Sequence, residues 1–238
     1  MRTLDSFLFA AASGAAFRVS FALEAVVSLR HNEVAARRIA RTVRSEDTGE
    51  VLAAPQLARL ADEDVHAIDG ATFDCARKVL EGAHPGAIVI TPASFGVLAT
   101  RKGRRRLSDG VGERLKGGVM VEFADVERGT PVSRLTDVSG LTASLCRGVL
   151  VRLAPARDIV APVRGYRPHG VSLDAVQIDG DDSAIADQVL AFGDQAKGAA
   201  PTTMVFGLPN DGFFSVALVA GVTHASARAD LDQVRSAA

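Results

Sequence analysis

From residue 87 onward the chain repeats one short pattern. The stretches "AIVIT" (87–91), "GVMVEFA" (118–124), "GVLVRLA" (148–154), "GVSLDAVQI" (170–178) and "TTMVFGL" (202–208) are apolar and rich in β-branched residues. Each is followed by a segment with helical character, at 94–107, 131–145, 157–165, 183–197 and 212–220. "GVTHASA" (221–227) closes the series, and the tail "RADLDQVRSAA" reads as a short helix. Strands without a polar face must be covered on both sides. Helices placed between them supply that cover, which is the pattern of a parallel sheet.

Upstream, "FRVSFALEAVVSL" (17–29) and "EVAARRIARTV" (33–43) flank the turn "RHNE" and read as a hairpin. From Pro55 to Glu81 apolar residues such as Leu57, Leu60, Val65, Ile68, Phe73 and Val79 fall at helical spacing, and Gly70 is expected to separate two helices. Eight strands suit a closed barrel better than an open sheet. The expectation is therefore an α/β fold, a (β/α)8 TIM-like barrel with an antiparallel first strand, forming one domain over 1–238 without a linker. The N-terminal "LDSFLFAAASGAAF" reads as a docking amphipathic helix rather than a signal peptide, because Asp5 precedes its apolar run.

Composition narrows the partners. The net charge is -1, which gives no general attraction to nucleic acid or anionic lipid. There are eleven Phe, one Tyr and no Trp, too few aromatics for a platform that stacks nucleic-acid bases. No apolar run reaches membrane-spanning length. Cys75 and Cys146 sit singly in apolar patterns, so they read as reduced, buried thiols of a cytoplasmic protein.

The order of hairpin, helical pair and strand–helix units resembles the EAL family, barrel domains that hydrolyse the bacterial second messenger cyclic di-GMP. "FALEAVVSLRHNEVAARRIAR" looks like that family's opening motif and shares Val27, Leu29, Arg30, Glu33 and Val34 with it. "VMVEFAD" is similar to its "L-x-L-E-L-T-E" strand. "VFGLPNDGFFSVALVAGVTHASA" keeps the spacing of its closing motif through Gly207 and Gly221-Val222. The resemblance covers nearly the whole chain and implies an EAL-type barrel.

The resemblance also implies a chemistry: two divalent cations, held by carboxylates and an Asn, activate a water for in-line attack on a phosphodiester. Carried over residue by residue, most of the ligands are missing. The first signature Glu falls at Arg38, and the Asn at Ile90 or Thr91. Glu122 is kept, with Asp125 near the second acidic position. The paired Asp falls on Val151 and Arg152, or one residue on at Leu153. The strand Lys falls at Gln177, the two closing Glu at Phe206 and Pro209, and the closing Gln at Ser226. The Gln of the opening motif falls at Glu24. A guanidinium cannot ligate a metal and repels one. The resemblance thus implies a barrel mouth with no catalytic residue, no metal site and no cofactor. Its vestigial ligand-binding set is Arg38, Glu122, Arg152 and Gln177.

Within that set Glu122 and Arg152 are expected to pair, with Arg38 nearby, because a buried fork-shaped guanidinium seeks a carboxylate. The competing expectation is that Arg38 and Arg152 bind an anion such as a nucleotide phosphate. Elsewhere, "RKGRRR" (101–106) reads first as a solvated helix face and second as an anionic docking patch. His31, His66, His84, His169 and His224 show no metal-ligand spacing, and only His224 is placed at the mouth. "DGDD" (179–182) reads as a loop capping a helix.

Three functions follow in order. The first is a catalytically inactive, cytoplasmic EAL-like signalling or scaffold protein acting through protein–protein interaction or self-association. The second is a sensor that binds cyclic di-GMP without cutting it. The third is a metal phosphodiesterase with ligands displaced to Asp125, Asp174 and Asp179, whose spacing gives no sign that they converge with Glu122.

Overall fold

The computed structural model describes residues 3–228. Nine strands form one sheet: β1 (Thr3–Ala10), β2 (Ala16–Ser28), β3 (Glu33–Ser45), β4 (Val89–Ala93), β5 (Val119–Phe123), β6 (Gly148–Leu153), β7 (Gly170–Asp174), β8 (Thr202–Leu208) and β9 (His224–Ala227). β3 to β9 run parallel in sequence order, and β2 lies antiparallel to both β3 and β9. That last pairing closes β2–β9 into an eight-stranded α/β barrel with an antiparallel first strand. The helices are α1 (Ala54–Leu57), α2 (Asp62–Glu81), α3 (Phe95–Ala99), α4 (Arg101–Val111), α5 (Val132–Ala143), α6 (Asp182–Ala196) and α7 (Phe214–Val219).

Alternation along the parallel strands sorts the side chains. Val119, Val121, Phe123, Val149, Val151, Leu153, Val171, Leu173 and Val205 face the helices and form the largest buried cluster with residues such as Leu107, Leu135 and Phe192. Val26, Ala36, Ile90, Met120, Leu150, Met204 and Phe206 face inward and fill the barrel. β2 and β3 are 13 residues each, far longer than the other barrel strands. Their outer halves run past the barrel with β1 and pack Val19, Phe21, Ile39 and Val43 against Ile68, Cys75 and Ala76 of α2.

Several sequence expectations are corrected. The N-terminal segment is a strand, not a docking helix: Phe7 and Phe9 alternate and lie opposite Val19 and Phe17 of β2, with the Phe7 ring stacked on Phe21 and the Phe9 ring tilted against Phe17. Gly70 does not divide the helical region, since α2 runs unbroken from Asp62 to Glu81. Its missing side chain instead leaves room for Arg106 of α4. The segment 94–107 is two helices broken at Thr100, whose hydroxyl donates to the Val97 carbonyl and accepts from the Gly103 amide. The helix expected over 157–165 is only one short 3-10 turn, Ala161–Val163. Pro155, Pro162, Gly165 and Pro168 crowd that connection, and proline removes the amide a helix needs. The tail expected to be helical lies outside the described residues. Among the described residues, no helix is long and apolar enough to cross a membrane.

Candidate functional site

The strand ends that carry catalysis in barrels of this kind are here the C-terminal ends of β4 to β9. Above the apolar layer of the interior the next inward positions are polar. β2 and β3 place Glu24 directly opposite Arg38. β5 contributes Glu122, β6 contributes Arg152 beside Ser172 of β7, and Asp174 lies beside Phe206 of β8. Strand periodicity alone points these side chains into the barrel, because each lies two residues from another inward position of its own strand.

The geometry is an internal ion-pair network. Arg152 grips Glu122 with two bonds, Nε to Oε1 at 3.1 Å and Nη2 to Oε2 at 2.5 Å. Ser172 donates its hydroxyl to Glu122 Oε1 at 2.6 Å. Arg38 donates from Nη2 to Asp174 Oδ2 at 2.7 Å and to Glu122 Oε2 at 3.4 Å, and from Nη1 to Glu24 Oε2 at 3.2 Å. Its guanidinium also lies 4.4 Å over the Phe206 ring centroid, a cation–π contact. Ser226 completes the set by donating to Glu24 Oε2 at 2.9 Å. Glu122 is fully buried and Arg38 is 3% exposed. The Glu122–Arg152 pair with Arg38 beside it is thus present as the sequence led us to expect.

Burial penalises every charge in this layer, and the counter-charges decide each outcome. Burial alone would raise the Glu122 carboxyl, but Arg152 and Arg38 outweigh it and hold the group down at about 2. Asp174 is likewise lowered against burial by the same two guanidiniums. Glu24 goes the other way: burial dominates, Arg38 and the Ser226 hydroxyl oppose it without outweighing it, and the nearby Asp174 charge adds to the rise. Three carboxylates against two guanidiniums leave one negative charge in excess, and Glu24 bears the cost.

Two residues stand elsewhere in relation to the network than the sequence alone suggested. Asp174, set aside for want of a converging spacing, converges fully, because β7 ends at that residue and directs it inward. Gln177 stays outside the network: it closes the 3-10 turn Ala175–Gln177 after the strand and, among the described residues, its side chain makes no hydrogen bond. The signal for Asp174 was present in the alternation of Gly170, Ser172 and Asp174. Asp125 serves another purpose, accepting the Ser94 hydroxyl at 2.6 Å and the Phe95 amide at 2.5 Å. His224 is not at the mouth. It begins β9 at the opposite face, beside Ser28, His31 and Leu218 in an open cavity of about 470 Å³.

The donor set does not fit the paired divalent cations that the resemblance implies. Both oxygens of Glu122 are engaged by a guanidinium, one of them also by a hydroxyl, and Asp174 Oδ2 is bonded to Arg38. Among the described residues, no group of three or more His, Cys, Asp or Glu is placed to hold a metal ion. Hard cations require several free oxygen ligands, and here Arg38 lies among them.

With its closed barrel, antiparallel second strand and mouth, the molecule has the fold of EAL domains. It is similar to a standalone EAL protein of Vibrio cholerae O395 solved in its c-di-GMP-bound form, with 14% identity, TM-score 0.61, 89% of this chain and 90% of that one covered. It is similar to an EAL domain protein of Listeria monocytogenes EGD-e, with 11% identity, TM-score 0.64, and 92% and 91% covered. It also matches Klebsiella pneumoniae BlrP1, solved as a calcium/cy-diGMP complex, with 15% identity, TM-score 0.63 and 88% of this chain covered; it spans 54% of that chain. No protein-family model and no curated protein matches the chain.

Proposed function

We propose that the protein is a non-catalytic, cytoplasmic EAL-type module of cyclic di-GMP signalling that acts as a scaffold, through contact with a protein partner or with itself. One observation carries this reading. Arg38 stands where the resemblance puts the first signature carboxylate, and its guanidinium is bonded to Glu24, Glu122 and Asp174. The one carboxylate carried over intact, Glu122, is therefore neutralised by the protein itself. Phe206 and Ser226, at two further signature positions, also serve the network as its cation–π face and as a donor to Glu24. A mouth whose carboxylates are bonded to its own guanidiniums supplies neither a metal pair nor an activated water.

The test is incubation of the purified chain with cyclic di-GMP and Mn²⁺ or Mg²⁺, followed by chromatography of the nucleotide. The dinucleotide should remain cyclic; metal-dependent opening of its ring would sink the reading. Calorimetric titration with cyclic di-GMP separates the scaffold from the sensor. A saturable heat abolished by Arg152→Ala would move the function to the sensor, with Arg152 on phosphate, since its side chain keeps 10% exposure at the mouth.

A further inference from the structure

A net charge of -1 conceals a segregation of charge. α4 opens with Arg101, Lys102, Arg104, Arg105 and Arg106, and its first turn holds no acidic residue. Cations at a helix N-terminus oppose the macrodipole, at about 0.3–1 kcal/mol each when exposed, so the helix itself gives no reason for them. Arg104 is used internally, donating to the Leu98 and Ala99 carbonyls. Arg101, Lys102, Arg105 and Arg106 are exposed, and among the described residues the only acidic partner of this group is Asp109, 3.5 Å from Arg105.

α6 and the loop before it show the opposite sign. Residues 179–194 carry Asp179, Asp181, Asp182, Asp187 and Asp194, with no Lys or Arg. All five are exposed, and among the described residues none forms an ion pair. Asp181 alone has an internal task, capping α6 through the Ala184 amide. The same side of the barrel exposes apolar groups: Leu190 of α6 at 41%, and Leu218 and Val219 of α7 at 52% and 81%. α6 and α7 are in direct contact there, where Gly193 meets Ala220. Exposed apolar groups on two touching helices, beside a run of acidic residues that ends before Lys197 at the α6 C-terminus, have the composition of an interface.

The two patches cannot meet within one molecule. α4 follows β4 and α6 follows β7, three strands further round a ring of eight. We propose that the basic face of α4 in one copy docks on the acidic, apolar-centred α6–α7 face of a second copy. Because the two faces differ, the contact is heterologous, and assembly continues head to tail instead of stopping at a two-fold dimer. The proposal deepens the scaffold reading by naming the partner as the chain itself. It rests on that reading for the use of the assembly, while its test concerns mass and not nucleotide chemistry, so either can fail without the other.

The experiment is sedimentation velocity of the full chain across a concentration series, at ionic strengths of about 0.01 M and about 1 M, where the screening length is about 30 Å and about 3 Å. Weight-average mass should rise past the dimer at low salt and fall to the monomer at high salt. Two charge-reversed variants decide the surfaces: Arg101→Glu with Arg105→Glu, and Asp187→Lys with Asp194→Lys. Each alone should lower the association constant at least about tenfold, and an equimolar mixture of the two should recover assembly. Circular dichroism checks that both remain folded; should either fail to fold, the salt series and the surviving variant still decide. A monomer at low salt overturns the proposal, as does association that stops at a dimer or is untouched by the reversals.

Discussion

The Arg152 guanidinium meets the Glu122 carboxylate edge to edge, with Nε on Oε1 at 3.1 Å and Nη2 on Oε2 at 2.5 Å. Glu122 is fully buried and the Arg152 side chain is 10% exposed, so the pair is held by geometry and an unpaired Glu122 is costly. Glu122→Gln keeps the volume and removes the charge, leaving Arg152 and Arg38 to share Asp174 and Glu24. Breaking a buried pair costs about 3–5 kcal/mol, and for a chain of this size that lowers Tm by roughly 10 °C. A thermal melt checks it; a change under about 1 kcal/mol would mean the pair is solvated.

Glu24 should respond in the opposite sense. The layer holds one carboxylate too many, and burial raises the Glu24 carboxyl. Glu24→Gln makes two carboxylates face two guanidiniums and retains a hydrogen-bonding group for Ser226. The variant should be at least as stable as the parent in urea at neutral pH. A loss comparable to that of Glu122→Gln would contradict the charge count.

Acid should weaken the mouth through Glu122. Its folded carboxyl lies at about 2, below the ordinary value of 4.5. A lowered carboxyl stabilises the fold above its unfolded value, and that contribution is lost as pH falls from 4.5 towards 2. Glu24, being raised, contributes the reverse slope: its share is present at low pH and lost as pH rises through its folded value. Urea midpoints measured down to acid should therefore fall more steeply for Glu24→Gln than for the parent, since the variant lacks the opposing group.

Divalent cations should leave the protein unmoved. A ligand that binds the folded state at a hundred times its Kd raises stability by about 2.7 kcal/mol. With the carboxylates engaged by Arg38 and Arg152, saturating Mn²⁺ or Mg²⁺, or their chelation, should shift Tm by less than about 1 °C. Arg38→Glu releases Glu24 and Asp174, leaves Glu122 on Arg152, and gives the layer four acids. That variant should be less stable than the parent and should regain stability when Mn²⁺ is added.

Gly193→Ala tests the contact between α6 and α7. A Cβ at position 193 would stand 2.2 Å from the Ala220 carbonyl oxygen, against backbone that cannot turn aside. The added methyl must separate the helices, at about 1–3 kcal/mol, and a denaturation curve reads the loss directly. Gly207 is constrained in a second way: its φ is 65° and its amide donates to Ser226, so Gly207→Ala adds backbone strain to a clash with Val176.

What the sequence determined by itself was the order and direction of the parallel strands, because buried apolar runs such as "GVMVEF" and "GVLVRL" can be satisfied only between two covering layers. It also determined that Glu122 and Arg152 point the same way, since strand alternation is a local property. The tertiary structure decided the rest. That Phe7 and Phe9 belong to a strand depends on Phe17 and Val19 lying across from them. That Asp174 reaches Arg38, 136 positions away along the chain, depends on ring closure through the β2–β9 pairing. Charge pairing across a barrel is a sum over strands that meet only when the sheet closes, so no local pattern in the chain could announce it.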